Sequence, residues 1–530
     1  MDLVSFEFLA FVLAAIVLYF IAPKKIRWVI LLAASCVYYW LNSHWLLAVL
    51  IAASTVTFFA GLWMGSINRK GKQYLADNAD SLDAAGKRAA KASTKRKAKA
   101  VLIPAILIDL GMLLYLKYFN FFAGSVNRVL PGGLQLPTHS LLLPLGISFY
   151  TLQALAYLFD VYRGKISEDR NYFKFLLFMS WFPQILQGPI PRHDRLADQL
   201  YEGHDFSYSN LTSGMQLALW GYMKKMLIAD RLSTVVTYFF DNSSSYSGLL
   251  IFFAAALYGL QVYTDFSGGM DVARGISQIF GINLELNFNQ PYFSCSIEEF
   301  WRRWHITLGA WMRDYVFYPL SLSKAFANMG KFFRKVFGNF AGKRMPAFIA
   351  MFIVYFFVGL WHGANLKYIA YGVWNGCFIA GSLLLNDVYE KMRGFFGIKL
   401  EDTGWKIFRM FRTFVICSFG RFFPRANSTR HALRMMKSVF TRFFDLSWLV
   451  DGTLTKTGLD APNWFVLIAA VLLLFLVDLL HERKVNIRET IAAQFLPLRW
   501  VMYLAAIAVI VVFGIYGPTY NAAAFIYGQF

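Results

Sequence analysis

"MPAFIAMFIVYFFVGLWHGANLKYIAYGVWNG", residues 345–376, sets the fold class. Apolar residues run from Ala347 to Trp361, a His-Gly-Ala-Asn break follows, and a second apolar run starts at Leu366. Each run approaches the ~20 residues that cross a bilayer as a helix, so the break puts His362 near a membrane-embedded turn. An ionisable group at that depth is costly and by default marks proton transfer, substrate contact or ion passage. Gly363, Ala364 and Asn365 interrupt the helical pattern and would let a ligand approach the backbone, with a plain helix-end cap as the alternative. Imidazole titrates near neutrality, which suits a general base.

Comparable runs recur on both sides, at 4–22, 28–41, 45–64, 101–123, 140–159, 463–480 and 498–516. The regions 172–190, 211–229 and 248–266 are apolar but interrupted, and are expected to span, tilt or re-enter. About ten or more membrane segments follow from this pattern, which predicts an all-α integral membrane protein. Composition agrees: 57% of the 530 residues are hydrophobic and 18% aromatic, far beyond a soluble domain. No basic n-region or small-residue cleavage site precedes the first run, so a cleaved signal is not expected.

The net charge of +21 is unevenly spread. Residues 66–100 hold ten Lys or Arg against Asp77, Asp80 and Asp83, and residues 321–346 hold six with no acid. Positive loops stay on the cytoplasmic side, which puts 66–100 there as a loop and, counting spans, the C-terminus outside. Anionic headgroups suffice as partners for such loops, so membrane lipids and not nucleic acid are expected to face this charge. Residues 387–461 carry a mixed signal, and their side stays open.

The segment "EEFWRRWHITLGAWMRDYVFYPL", 298–320, has three Trp, three Arg, three acids and a His. Its aromatics recur at helical spacing, and Glu298–Arg302 and Glu299–Arg303 are favourable i,i+4 pairs, so an amphipathic helix at the membrane interface is predicted. His305 falls at the edge of its buried face, either held in local hydrogen bonds or functional. The four cysteines, Cys36, Cys295, Cys377 and Cys417, lack metal or redox spacing and read as packing residues. No metal site is expected. No G-x-S-x-G, P-loop, G-x-G-x-x-G or H-E-x-x-H stretch is present, which argues against ATP-driven pumps, nucleotide-cofactor enzymes and zinc proteases but leaves transporters open.

Five stretches together resemble the membrane-bound O-acyltransferases: 143–164, "QGPIPR" at 187–192, "YTDFSGGMDVARG" at 263–275, 287–320 and "GLWHGANLKYIAYGVWNG" at 359–376. The bacterial branch that O-acetylates alginate looks nearest, with the teichoic-acid D-alanyl transferases as cousins, and the likeness covers residues 1–420. It implies a multi-span helical ring around a central tunnel. It also implies an acyl thioester co-substrate, acetyl-CoA or an acyl carrier protein, and no bound cofactor. A polysaccharide acceptor and an extracytoplasmic, esterase-like partner of the SGNH type would complete the system in the inner membrane.

By the same resemblance His362 matches the essential histidine and His305 the second polar position of the active site. Asp265, Asp271, Asn287, Asn289, Gln290, Trp304, Trp361 and Asn365 would line or shape the tunnel. Asn289-Gln290-Pro291 also reads simply as a turn, and Asp265 equally as the buried partner of an Arg. His44, His139, His193, His204, His431 and His481 are expected to be structural or solvated.

Residues 421–496 form a C-terminal extension with one span, and 497–530 a final span with an aromatic tail. The tail ends in "FIYGQF", which resembles the terminal motif of small proteins that accompany D-alanyl transferases. On that likeness Tyr527 would relay the acyl group, while ordinary aromatic anchoring at the interface is the plainer reading. Arg421 stands where the family usually has an aromatic, a departure that leaves the environment after residue 404 open. A transporter or flippase is the reading from a different class.

Overall fold

A computed structural model of the chain describes residues 1, 3–128, 130, 134–139 and 142–516. Among them the architecture is helical, with one isolated antiparallel bridge between Phe288 and Trp304 and no sheet. Among the described residues seven helical stretches are long and apolar enough to span a membrane: Lys24–Asp77, Ala84–Asn127, Leu249–Ile279, Lys324–His362, Leu366–Phe395, Ala461–Glu482 and Leu496–Phe513. Lys24–Asp77 comprises two helices, Arg27–Ser43 and Leu47–Asp77, divided at His44–Leu46. Phe6–Ile21 is a shorter apolar helix. The regions that read as interrupted resolve differently: 248–266 lies in one long helix, whereas 172–190 holds the short helices Tyr172–Ser180 and Phe182–Gln187.

The chain forms two compact units. The first comprises Met1–Met215 and Ala273–Glu285. In it the helices Leu47–Asp77 and Ala84–Leu113 pack on each other and on Ile147–Arg163, most of whose side chains are buried. The basic stretch 66–100 is not an irregular loop: both helices continue through it and only 78–83 turns. Asp83 caps the second helix by accepting from the Gly86 N–H, which satisfies one of the donors that a helix start leaves open. Ala and Lys dominate the segment, and both favour helix, so charge here decorates a helical hairpin.

The second unit comprises Gln216–Val272 and Leu286–Phe530. Its largest packing is between the helices Lys324–His362 and Leu366–Phe395, the two apolar runs on either side of the His-Gly-Ala-Asn break. They cross at glycines. A Cβ on Gly359 would stand 2.5 Å from the Tyr368 carbonyl oxygen and 3.0 Å from the Gly372 Cα, so only bare backbone fits. The same crossing carries His362, the last residue of its helix. Thr403–Arg425 packs on Leu366–Phe395 and completes the surroundings of the histidines.

Candidate active site

The stretch 298–320 is helical on both sides of a break. Ile297–Arg303 starts at Ser296, whose hydroxyl accepts from the Glu299 N–H, and Glu299 reaches back to accept from the Cys295 N–H. Arg303 then pairs with Glu299 at 2.8 Å and with Glu482 at 2.5 Å, while Glu298–Arg302 at 3.2 Å is the exposed pair. The helix stops at Trp304 and restarts at Ile306. The continuous amphipathic helix read from periodicity is corrected here, because the chain needs extended backbone at Trp304 to bridge Phe288. The Asn289 N–H donates to the Arg303 carbonyl and the Ile306 N–H to the Asn287 carbonyl, which hold the break in place.

At the break His305 adopts left-handed backbone, φ 49° and ψ 51°, and is 1% exposed. Histidine tolerates that region better than most side chains, and held conformations of this kind concentrate at functional sites. The Asn287 side chain sets its chemistry. Its carbonyl oxygen accepts from the Thr307 backbone N–H and hydroxyl, both at 2.9 Å, so its amide nitrogen must be the end facing His305 Nδ1 at 3.3 Å. Nδ1 is therefore the acceptor, and the neutral ring carries its proton on Nε2. Burial, and next the charge of nearby His362, hold the His305 imidazole well below its ordinary range, so it stays neutral.

Trp361 brings the two histidines together. Its ring is 5.5 Å from His305 and 5.1 Å from His362, centroid to centroid. Residues 57 apart in sequence thus share one buried, aromatic-walled place, with Phe266 edge-on to His305 and Tyr371 edge-on to His362. Trp301 donates from Nε1 to Asn375 at 3.0 Å, which locks the first helix of the break to Leu366–Phe395.

The other predicted residues divide. Trp304 is buried beside His305, stacked on Phe300. Asp265 pairs with Lys225 at 2.8 Å, and Lys225 also meets Asp230 at 2.9 Å, so a lysine takes the place that the sequence reading gave to an Arg. Asp271 likewise pairs with Lys224 at 2.7 Å. Asn289 is exposed, Gln290 opens the turn Pro291–Phe293, and Asn365 is an exposed cap whose side chain accepts from the Lys367 N–H. His193, His204 and His431 are held by Asp169, the Gln199 carbonyl and Ser243. Tyr527 lies outside the described residues. No cluster of His, Cys, Asp and Glu able to hold a metal occurs among the described residues. Tyr371, Asn375 and Thr307 escaped the sequence reading because uncharged polar residues in apolar runs carry no periodic signal.

The membrane-bound O-acyltransferase family model matches residues 165–419, which contain both histidines, Asn287, Trp361 and Tyr371. A "probable alginate O-acetylase" of Pseudomonas syringae pv. tomato is 32% identical over 471 residues, spanning 88% of this chain and 80% of its own. This chain belongs to the membrane-bound O-acyltransferase family. A peptidoglycan O-acetyltransferase of Helicobacter pylori is 29% identical over 64% of each chain. A teichoic acid D-alanyltransferase of Bacillus subtilis is 30% identical over 45% of this chain and 58% of its own. The protein is thus a multi-pass membrane acyltransferase, and the transporter reading falls away.

Proposed function

We propose that this acyltransferase moves a small acyl group, acetyl, from a cytosolic thioester toward the hydroxyls of an extracytoplasmic polysaccharide, through His362 and His305 in the inner membrane. The observation that carries the reading is the pair of buried histidines either side of Trp361, one of them locked as an Nε2–H donor. His362 accepts the proton of an attacking hydroxyl as its oxygen adds to the thioester carbonyl. His305 Nε2–H donates to the oxyanion that forms, in a place too apolar for water to compete. Collapse breaks the C–S bond, and the proton on His362 returns to the leaving thiolate, so ester and free thiol result without a metal.

The attacking hydroxyl is either the acceptor or Tyr527, whose phenol needs a base to become nucleophilic. A tyrosyl ester at Tyr527 would pass its acyl group to an SGNH-type partner outside, which then esterifies the polymer. The relatives support acetyl over D-alanyl: the alginate enzyme aligns over 88% of this chain and the D-alanyl enzyme over 45%. An acyl carrier protein remains the donor in the second case.

Mass spectrometry of protein incubated with labelled acetyl-CoA tests the scheme. Label on Tyr527 that disappears in His362→Ala and Tyr527→Phe is the expected result. Polymer acylated while no residue of the wild type is ever labelled would remove the relay, and transfer that survives His362→Ala would remove the base.

A further inference from the structure

Arg421, near the end of Thr403–Arg425, is 5% exposed. Its guanidinium carbon sits 4.4 Å from the Trp304 ring and 5.9 Å from the Tyr371 ring. Among the described residues nothing accepts a hydrogen bond from its Nη2, and the groups bearing most on its charge are Tyr371, Tyr292, Cys417 and Tyr258, none of them a carboxylate. Every other strongly buried cation of this unit has an anionic or carbonyl partner: Lys224 has Asp271, Lys225 has Asp265 and Asp230, and Arg231 has the Met226 and Phe513 carbonyls.

A buried charge without a counter-ion is costly, and stacking on two aromatic rings offsets only part of that cost. The guanidinium is also pre-oriented. The Trp304 ring packs against it, and Gly259 lets Leu249–Ile279 approach closely, a Cβ there standing 3.2 Å from the Tyr292 hydroxyl and 3.9 Å from the Arg421 Nε. Trp304 precedes His305, and Tyr371 lies 5.9 Å from His362 ring to ring, so His362 is at most about 12 Å from the guanidinium. The site for acyl transfer and an unmatched planar cation share the same walls.

From this we infer that Arg421 receives an anionic oxygen group of the acyl donor, a carboxylate or a phosphate, and orients the thioester toward His362. The inference rests on the reading above that the donor is a thioester, and the second of its two sources would put a diacid in the place of acetyl. Two sources carry that chemistry: the phosphates of a CoA-type carrier, or the distal carboxylate of a diacid acyl group such as succinyl. Arg suits either, because its planar fork binds both groups in bidentate fashion.

The test titrates four thioesters into the full chain: acetyl-CoA, acetyl-pantetheine, succinyl-CoA and succinyl-pantetheine. A His362→Ala background stops transfer, so binding alone is read. If a carrier phosphate is the anion, Arg421→Gln weakens both CoA thioesters by about tenfold or more and spares both pantetheine forms. If an acyl carboxylate is the anion, it weakens both succinyl forms against both acetyl forms, and Arg421→Lys recovers part of the loss in either case. Equal affinity of all four for Arg421→Gln and its parent overturns the inference and leaves a guanidinium that only packs on Trp304. Should Arg421→Gln not fold, displacement of acetyl-CoA from the unmutated chain by inorganic pyrophosphate or succinate decides, and displacement by neither overturns it. Failure of every thioester to bind the unmutated chain would overturn the donor reading as well, which separates the two.

Discussion

His305 shows how one side-chain amide sets the chemistry of another residue. Asn287 can present only its NH2 to Nδ1, because its oxygen is occupied by Thr307. Asn287→Asp keeps the shape and both Thr307 bonds but puts an acceptor opposite Nδ1, which reverses the tautomer and turns Nε2 into an acceptor. The expected outcome is a fall in kcat of roughly 10²-fold with donor KM little changed, the signature of a lost oxyanion donor and not of lost binding. A matched rise in KM would instead mean that Asn287 shapes the donor site. The pH dependence follows from the same ring. Its pKa is lowered, first by burial and then by His362, so protonation of His305 sets in only below the ordinary imidazole range. His305→Asn, which tolerates the left-handed backbone, should therefore reduce kcat yet leave the acid limb of the rate profile where it was. A limb that moves to another pH in this variant would assign that ionisation to His305.

The decisive elements are a broken helix and a glycine crossing. Periodicity rightly placed Trp301, Trp304, Leu308, Trp311 and Tyr315 on a buried face, and all are buried. It could not show the interruption at Trp304–His305, since the break comes from pairing with residues 287–289, a contact no window over 298–320 contains. The crossing of Lys324–His362 with Leu366–Phe395 is likewise visible only in three dimensions: Gly359 and Gly372 meet backbone to backbone, and a Cβ on Gly372 would lie 2.3 Å from the Tyr355 carbonyl oxygen. Gly372→Val should separate the helices and carry His362 away from Trp361, costing about 1–3 kcal/mol by overpacking. The check is a lowered unfolding temperature together with transfer reduced to the level of His362→Ala. Full activity would show that the crossing does not position the histidine.

For the whole molecule, charge follows the helices through 66–100 as a basic hairpin with its tip at 78–83. Because positive segments are retained on the cytoplasmic side, a cysteine introduced as Ala79→Cys should react with an impermeant maleimide only in inside-out vesicles. Labelling of intact cells would invert the topology and, with it, the direction of transfer. The same hairpin should bind anionic vesicles in a salt-sensitive way, since each Lys or Arg near such a surface contributes about 1 kcal/mol and falls off within a Debye length. Binding unchanged by high salt would mean that the hairpin's charges serve another purpose.

Composition and the recurrence of apolar runs were enough to determine a helical membrane protein, because hydropathy is a local property that needs no fold to express it. The motifs around His305 and His362 were enough to point to the acyltransferase family, since a run of residue types in a fixed order is legible before the chain folds. Tertiary structure alone decided what those residues do for one another: that Trp361 joins two histidines 57 positions apart, that Asn287 chooses the tautomer, that Lys225 pairs with Asp265, and that Arg421 faces Trp304 without a carboxylate. Each of these depends on a contact between distant segments in a place from which water is excluded, and there a partner's identity, more than the residue's own character, sets its charge and its hydrogen bonds.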